Sequence, residues 1–215
     1  MIRIWDVVHS GIKGMRWGVR RDNSKSSHTT SYKTGNIDKF GTGEHNALYV
    51  TGLSGSGKTT FADELAARTK SEVIHLDTYF EKHLTGNNKS FTDYLKKNGV
   101  VKSAMFNKDG KLNYSVSDKV LPLIKSYKKK VIVEGVQIFD TTLSDHTRDI
   151  LRDEPIVSLQ TSIKISTNRA IYRDKIRGTI AKDLISRAQE AQTLKSDMEK
   201  ALNLSIGKYY VDQMI

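Results

Sequence analysis

The chain has 215 residues, a net charge of +11 and a mean hydropathy of −0.49. It holds no cysteine, which excludes disulfides and cysteine-based metal sites. No apolar run approaches the roughly 18 residues of a membrane span, and the first residues lack the apolar core of a secretory signal. We therefore expect one α/β domain with an appendage, in the cytoplasm.

The first fifth of the chain forms a basic arm. His9-Ser-Gly-Ile-Lys-Gly-Met-Arg-Trp-Gly-Val-Arg-Arg21 has glycines too closely spaced for a stable helix. Residues 1–43 hold eight Lys and Arg against three Asp, a net charge of +5. Such an arm suits an acidic partner such as nucleic acid or a polyanionic surface, or it simply keeps the protein soluble. Residues 22–44 are rich in Ser, Thr, Asn and Lys, which predicts a flexible linker before a domain that starts near residue 45.

The next segment carries the strongest motif. Gly52-Leu-Ser-Gly-Ser-Gly-Lys-Thr-Thr60 matches the Gly-x-x-x-x-Gly-Lys-Thr pattern of a phosphate-binding loop (P-loop). An apolar run precedes it, and Phe61 and Leu65 follow at helical spacing, so the predicted order is strand, loop, helix. The alternative is a glycine-rich turn that binds no ligand.

The residue types of the loop predict ATP and Mg²⁺ as cofactors. Its glycines let the backbone approach an anion, and its N–H groups lie beside the positive end of the helix dipole. Lys58 would contact the β- and γ-phosphates, and the Thr59 hydroxyl would bind Mg²⁺. The candidate cofactor-binding residues are Gly52, Ser54, Gly55, Ser56, Gly57, Lys58, Thr59 and Thr60.

Two carboxylates follow predicted strands. Asp77 ends the strand that begins at Glu72, where it could accept a proton from an acceptor hydroxyl or hold Mg²⁺ through water. The alternative is a helix N-cap. Glu134 interrupts the apolar run 131–139, predicted as a central strand, and a buried carboxylate there needs a partner such as Mg²⁺ or an acceptor hydroxyl.

The remaining elements are less distinct. We expect a helix over 90–97, a hairpin around Asp109-Gly110, a helix over 118–127 with Pro122 in its first turn, a turn and helix over 140–152, a strand over 156–165, and an amphipathic helix over 180–204. The end of the chain reads equally as a strand or a tail. Candidate aromatic residues for stacking on an acceptor, or alternatively for the core, are Tyr79, Phe80, Phe106 and Tyr114.

A predicted helix carries Arg169, Arg173 and Arg177 on one face, since they are four residues apart. A triphosphate would relieve the repulsion between the three guanidinium groups. The alternative is a solvated basic face that Asp174 partly neutralises.

The loop, the Asp-Thr-Tyr-Phe segment at Asp77, the Glu-Gly at Glu134 and the arginine helix come in an order that resembles the uridine kinase and phosphoribulokinase branch of P-loop kinases. The resemblance covers roughly residues 47–178. It implies that Asp77 is the catalytic base, that Lys58 and the three arginines bind phosphate, and that Glu134 belongs to the Mg²⁺ or acceptor network. The Pro-x-Tyr-Asp segment of the nucleoside site is not found. The loop also resembles that of adenylylsulfate kinase, whose Asp-Gly-Asp segment is absent.

The basic arm has a resemblance of its own. Residues 9–18 are similar to a His-x-Gly-x-x-Gly-Met-x-Trp-Gly motif in head or virion-associated proteins of tailed bacteriophages. This implies a phage-encoded protein in a bacterial host cell, with residues 1–21 docking on a phage structural protein. The alternative is an ordinary flexible extension.

Together these features predict a three-layer α/β P-loop fold with a mainly parallel sheet and a lid helix. The expected divisions are 1–21, 22–44, 45–179 and 180–215. The expected activity is ATP-dependent transfer of a phosphoryl group to a hydroxyl of a small, nucleoside-like metabolite. A nucleic-acid kinase and a virion-associated docking protein are the alternatives.

Overall fold

A computed structural model describes residues 31–35, 37–81, 88–100, 115–139, 145–176, 178, 184–205 and 210–212. Within these residues, six strands form one sheet in the order β3-β4-β2-β5-β1-β6. The strands are β1 (Ser31–Gly35), β2 (Ala47–Gly52), β3 (Glu72–His75), β4 (Val131–Glu134), β5 (Ile156–Gln160) and β6 (Tyr210–Asp212).

The described residues also form seven α-helices and two short 3-10 turns. The helices are α1 (Lys58–Thr69), α2 (Leu76–Glu81), α3 (Lys89–Lys97), α4 (Ser115–Ser126), α5 (Asp145–Arg152), α6 (Ile163–Ile176) and α7 (Leu184–Ser205). The 3-10 turns are Ile37–Lys39 and Val136–Phe139. None of the described helices is long and apolar enough to cross a membrane.

The centre of the sheet is parallel. Strand β2 lies between β4 and β5 and is parallel to both, and β3 is parallel to β4. Strand β1 adds to β5 in the antiparallel direction, and β6 adds to β1 in the same way. The sheet is therefore mainly parallel, and the carboxyl ends of β2, β3, β4 and β5 meet at one edge, where a ligand crevice is expected.

Side-chain alternation along β2 divides the core into two layers. Ala47 and Tyr49 face one cluster of buried residues, and Leu48 and Val50 face the other. The first cluster includes residues of α3 and α4, and the second includes the apolar face of α1. Helices thus cover both faces, and the expected three-layer α/β fold is confirmed.

The expected linker over residues 22–44 does not extend to its carboxyl end. Residues 31–35 form β1, and Ile37 and Phe40 are buried in the core cluster of α1, with exposures of 1% and 7%. The polar side chains of this segment gave no indication of a strand. The strand forms through backbone hydrogen bonds to β5, and these can be made by residues of any polarity.

Three further expectations were wrong in their boundaries. Strand β5 ends at Gln160, and the residues expected to continue it start α6, where the Ser162 hydroxyl accepts a hydrogen bond from the Ile165 N–H at 3.3 Å. Strand β4 ends at Glu134 and a 3-10 turn follows. Pro122 lies well inside α4, because that helix begins earlier, at Ser115.

The helix expected over 90–97 is present as α3, and a helix is present as α7 over the described part, from Leu184, of the segment 180–204 that was expected to be helical. The hairpin around Asp109-Gly110 and the N-terminal segment 1–21 lie outside the described residues, as do Phe106, Tyr114 and Arg177.

Candidate active site

The P-loop joins the end of β2 to the start of α1 at the carboxyl edge of the sheet. Gly55 and Gly57 have φ angles of 82° and 94°, in the left-handed region that favours glycine. Gly57 is the N-cap of α1 and makes no side-chain hydrogen bond to the helix. The first N–H groups of α1 therefore have no capping side chain, which is the arrangement of an anion-binding helix N-terminus.

The loop also packs tightly on α6. A Cβ placed on Gly55 would lie 2.4 Å from the carbonyl oxygen of Ser166 and 3.1 Å from the Ala170 nitrogen. These are backbone atoms, which cannot move aside as a flexible side chain can. The close approach sets the position of the loop against the helix that carries the arginines.

Lys58 is the first residue of α1 and is only 6% exposed. Its Nζ donates a hydrogen bond to the Leu53 carbonyl at 3.3 Å. Burial lowers the pKa of Lys58, whereas the negative charges of Glu134 and Asp77 favour its charged form and Arg173 opposes it. Both predicted carboxylates and one predicted arginine therefore lie within electrostatic range of Lys58.

Glu134 connects β4 to the P-loop. The Thr59 hydroxyl donates a hydrogen bond to Glu134 Oε1 at 3.2 Å. Glu134 is 2% exposed, and its other oxygen, Oε2, is buried without a hydrogen-bond partner. A buried carboxylate oxygen with no donor is costly, so this atom is suited to a ligand.

His75 is a site residue that sequence reasoning missed. Its Nδ1 lies 3.0 Å from Glu134 Oε1, and its Nε2 lies 3.3 Å from Asp63 Oδ1 on α1. The hydrogen bond to Glu134 raises the pKa of His75, burial opposes this, and the charges of Glu134 and Asp63 add to the increase. The register could have indicated this contact, since His75 is opposite Glu134 on neighbouring parallel strands.

Asp77 lies in the first turn of α2, directly after β3. Two residues on, Tyr79 is 2% exposed, and its hydroxyl donates to the Asn88 carbonyl at 2.6 Å. The Tyr79 ring packs edge-on against Phe91, with a centroid distance of 5.4 Å. Tyr79 is therefore a core residue that connects α2 to α3. This agrees with the interpretation of Tyr79 as part of the core and not as a residue that stacks on an acceptor.

Helix α6 places two of the predicted arginines beside the P-loop. Arg173 donates to the Ser54 hydroxyl at 3.3 Å, and the Cβ of Arg169 lies beside Gly55. Arg173 also forms an ion pair with Asp174 at 3.2 Å. Part of the positive charge of the arginine helix is therefore neutralised by Asp174, as the interpretation of a solvated basic face expected.

A second arginine on Asp174 comes from α7 and was not anticipated. Asp174 is 6% exposed and accepts a hydrogen bond from Arg187. A chain of contacts thus runs from α7 through Asp174 and Arg173 to Ser54 of the P-loop. A cavity of about 90 Å³ lies beside this chain, between the P-loop, α6 and α7.

The residues present fit an ATP–Mg²⁺ complex. Mg²⁺ takes oxygen ligands, keeps several waters and needs few protein groups. The Thr59 hydroxyl and the unpartnered Glu134 Oε2 are such oxygens. In the described part of the chain, no group of three or more His, Asp or Glu side chains could hold a metal ion by itself.

The fold and the loop define a nucleotide-binding protein of the P-loop class. Residues 48–119 match the model of a family described as an AAA domain, a span that includes the P-loop and Asp77. Residues 7–24 match a family of unknown function (DUF7211), and this match covers most of the basic N-terminal motif.

Among solved structures, the chain is similar to the shikimate kinase from Acinetobacter baumannii in complex with shikimate. The two are 21% identical with a TM-score of 0.49, and the match covers 76% of this chain and 82% of that chain. No curated protein matches the sequence.

Proposed function

We propose that the protein is an ATP-dependent phosphotransferase that moves the γ-phosphate to a hydroxyl of a small, nucleoside-like metabolite. One observation carries the proposal. The carboxyl edge of the sheet carries a P-loop lysine, a Thr59–Glu134 pair and Asp77, and Arg173 donates a hydrogen bond to Ser54 of the loop. A carboxylate at the position of Asp77 supplies the proton acceptor that transfer to a hydroxyl requires.

The donor half of the site consists of the P-loop and α6. The N–H groups of the loop would hold the β-phosphate, and Lys58 would contact the β- and γ-phosphates. Thr59 and Glu134 would hold Mg²⁺, which would neutralise part of the phosphate charge. Arg169 and Arg173, with Arg177 by resemblance, would stabilise the charge that spreads over the transferred group.

The acceptor half contains Asp77. We propose that its carboxylate orients the acceptor hydroxyl and takes its proton as the oxygen attacks the γ-phosphorus, while the bond from the γ-phosphorus to the β–γ bridging oxygen breaks and ADP leaves. The arginine helix would also help to exclude water from the closed site, because an open site would lose ATP to hydrolysis. The nucleoside-like nature of the acceptor rests on the resemblance to the uridine kinase branch.

A transfer assay with γ-labelled ATP and Mg²⁺ tests the proposal. Nucleosides, nucleotides, short DNA and RNA, and a bacterial metabolite extract would be offered as acceptors, with Lys58→Ala as the control. We expect a labelled small molecule that is absent with the variant. No transfer to any acceptor by a protein that binds ATP would contradict the kinase assignment.

A nucleic-acid kinase is the second candidate, and the net charge of +5 in residues 1–43 favours it. In that case the label would appear on a polynucleotide end. Binding would also weaken steeply with salt, because contacts to phosphates release counterions. A kinase for small metabolites should show little change in acceptor affinity over the same salt range.

The arm itself supports a docking role alongside either activity. We propose that residues 1–21 attach the enzyme to a phage structural protein in the cytoplasm of a bacterial host or on the virion. In this organisation, the folded part of the chain, which includes β1 from residue 31, works independently of residues 1–21.

A further inference from the structure

The carboxylate of Glu134 is fixed from two sides at a single oxygen. Oε1 accepts the Thr59 hydroxyl at 3.2 Å and lies 3.0 Å from His75 Nδ1. Oε2 has no hydrogen-bond partner, although the residue is 2% exposed. Two contacts at one oxygen restrict rotation of the carboxylate, and Oε2 is left without a hydrogen-bond partner.

His75 is itself held in place. Its Nε2 lies 3.3 Å from Asp63 Oδ1, and its side chain is 13% exposed, whereas that of Asp63 is 55% exposed. The imidazole thus bridges a buried carboxylate at the end of β4 and an exposed carboxylate on α1. With a carboxylate at each ring nitrogen, the Nδ1 atom acts as the hydrogen-bond donor to Glu134.

We propose that His75 is a positioning residue for the Mg²⁺ site: by holding Oε1 of Glu134, it presents Oε2 to the metal. The inference rests on the proposed function, since it assumes that Thr59 and Glu134 hold Mg²⁺ with the nucleotide. Groups that orient a metal-binding side chain commonly change metal affinity by 10- to 100-fold when they are removed.

The choice of variants follows from the geometry. His75→Asn keeps a donor N–H close to the position of Nδ1 but removes the contact with Asp63, and His75→Ala removes both. Asp63→Asn removes only the charge of the outer, exposed carboxylate. We expect the largest effect from His75→Ala, recovery of most of the loss in His75→Asn, and a smaller effect from Asp63→Asn.

The experiment is isothermal titration calorimetry with the β,γ-imido analogue of ATP, once in EDTA and once over a range of Mg²⁺ concentrations. The melting temperature of each full-length variant is measured in parallel. We expect His75→Ala to weaken the apparent Mg²⁺ affinity by about 10-fold or more, with unchanged binding of the analogue in EDTA.

Two results would overturn the proposal. One is an unchanged Mg²⁺ affinity in His75→Ala. The other is an equal loss of analogue binding in EDTA for the alanine and asparagine variants, which would indicate a purely structural role. If the wild-type protein binds neither the analogue nor Mg²⁺, the proposed function fails as well, and the two failures are thus distinguished.

Discussion

At the scale of single residues, the position of Asp77 depends on where β3 ends. The strand stops at His75 and α2 begins at once, so Asp77 lies in a first helical turn at the ligand edge of the sheet. We predict that Asp77→Asn lowers kcat by about 10²-fold or more, the scale expected for loss of a general base. The measurement is steady-state transfer, with affinity for the ATP analogue as the control. Near-normal turnover would refute the assignment of the base.

A second residue-scale prediction concerns the contact between the P-loop and α6. Gly55 and Gly99 have nearly equal φ angles, 82° and 79°, but a Cβ on Gly55 would meet the Ser166 carbonyl at 2.4 Å, whereas one on Gly99 would meet nothing within 4 Å. Each alanine variant should lose about 1–2 kcal/mol of unfolding free energy from the left-handed backbone.

Gly55→Ala should lose more than this, and should also weaken binding of the ATP analogue, because the loop must move from α6. Gly99→Ala is the matched control with the same backbone conformation. The measurements are denaturant unfolding and calorimetry. Equal losses of stability in the two variants would show that the packing of loop and helix does not constrain the site.

At the scale of elements, Glu72 joins β3 to α3 and to the segment before β4. Its carboxylate accepts hydrogen bonds from Lys129 at 2.6 Å and from Asn88 at 2.6 Å. Burial raises the pKa of Glu72, but the hydrogen bonds from these residues and from Ser90, with the charge of Lys129, outweigh it and lower the pKa below the usual 4.5.

A carboxyl group with a lowered folded-state pKa stabilises the protein above its unfolded pKa, and the stabilisation disappears as pH falls through the folded value. We predict that Glu72→Gln lowers the unfolding midpoint at pH 7 and that the difference from wild type shrinks below about pH 4.5. Denaturant unfolding at several pH values measures this, with the exposed Glu44→Gln as control. A difference that does not depend on pH would contradict the role of the charge.

Elements differed in how well the sequence predicted them. Strand β2, the P-loop and α1 were predictable because the motif requires a strand, a turn and a helix in that order. The position of Glu134 followed from one charge in an apolar run. The end of β5 could not be predicted, because Ile163 and Ile165 alternate as in a strand, and the stretch is too short to distinguish the period of a strand from that of a helix.

The residues of the candidate site also differ in how well the sequence predicted them. Lys58 and Thr59 could be predicted from local spacing, since the chemistry of the loop is contained in nine consecutive residues. The contact between His75 and Glu134 joins residues 59 positions apart. It could be predicted only from the pairing of β3 with β4, which depends on the tertiary fold. Arg187 was missed for a related reason, because its partner Asp174 lies on a different helix.

At the scale of the whole molecule, the sheet includes residues 31–35, which were expected to belong to a linker. Strand β1 pairs with β5, and β6 pairs with β1, so a deletion that removes β1 takes the edge of the sheet with it. Ile37 and Phe40 would also leave the core of α1. Burial of two such side chains contributes about 1.5–3 kcal/mol each.

We predict that deletion of residues 1–30 leaves thermal stability and phosphoryl transfer close to those of the full chain, and that deletion of residues 1–44 lowers the melting temperature strongly.

The pair of truncations separates two roles of the arm that a single truncation near residue 43 would not distinguish. If the arm only docks the enzyme on a partner, the shorter deletion loses the partner and keeps transfer. If the arm delivers nucleic acid to the site, the shorter deletion lowers transfer to polynucleotides and removes its salt dependence. Equal stability of the two truncated proteins would show that β1 is not part of the folded domain.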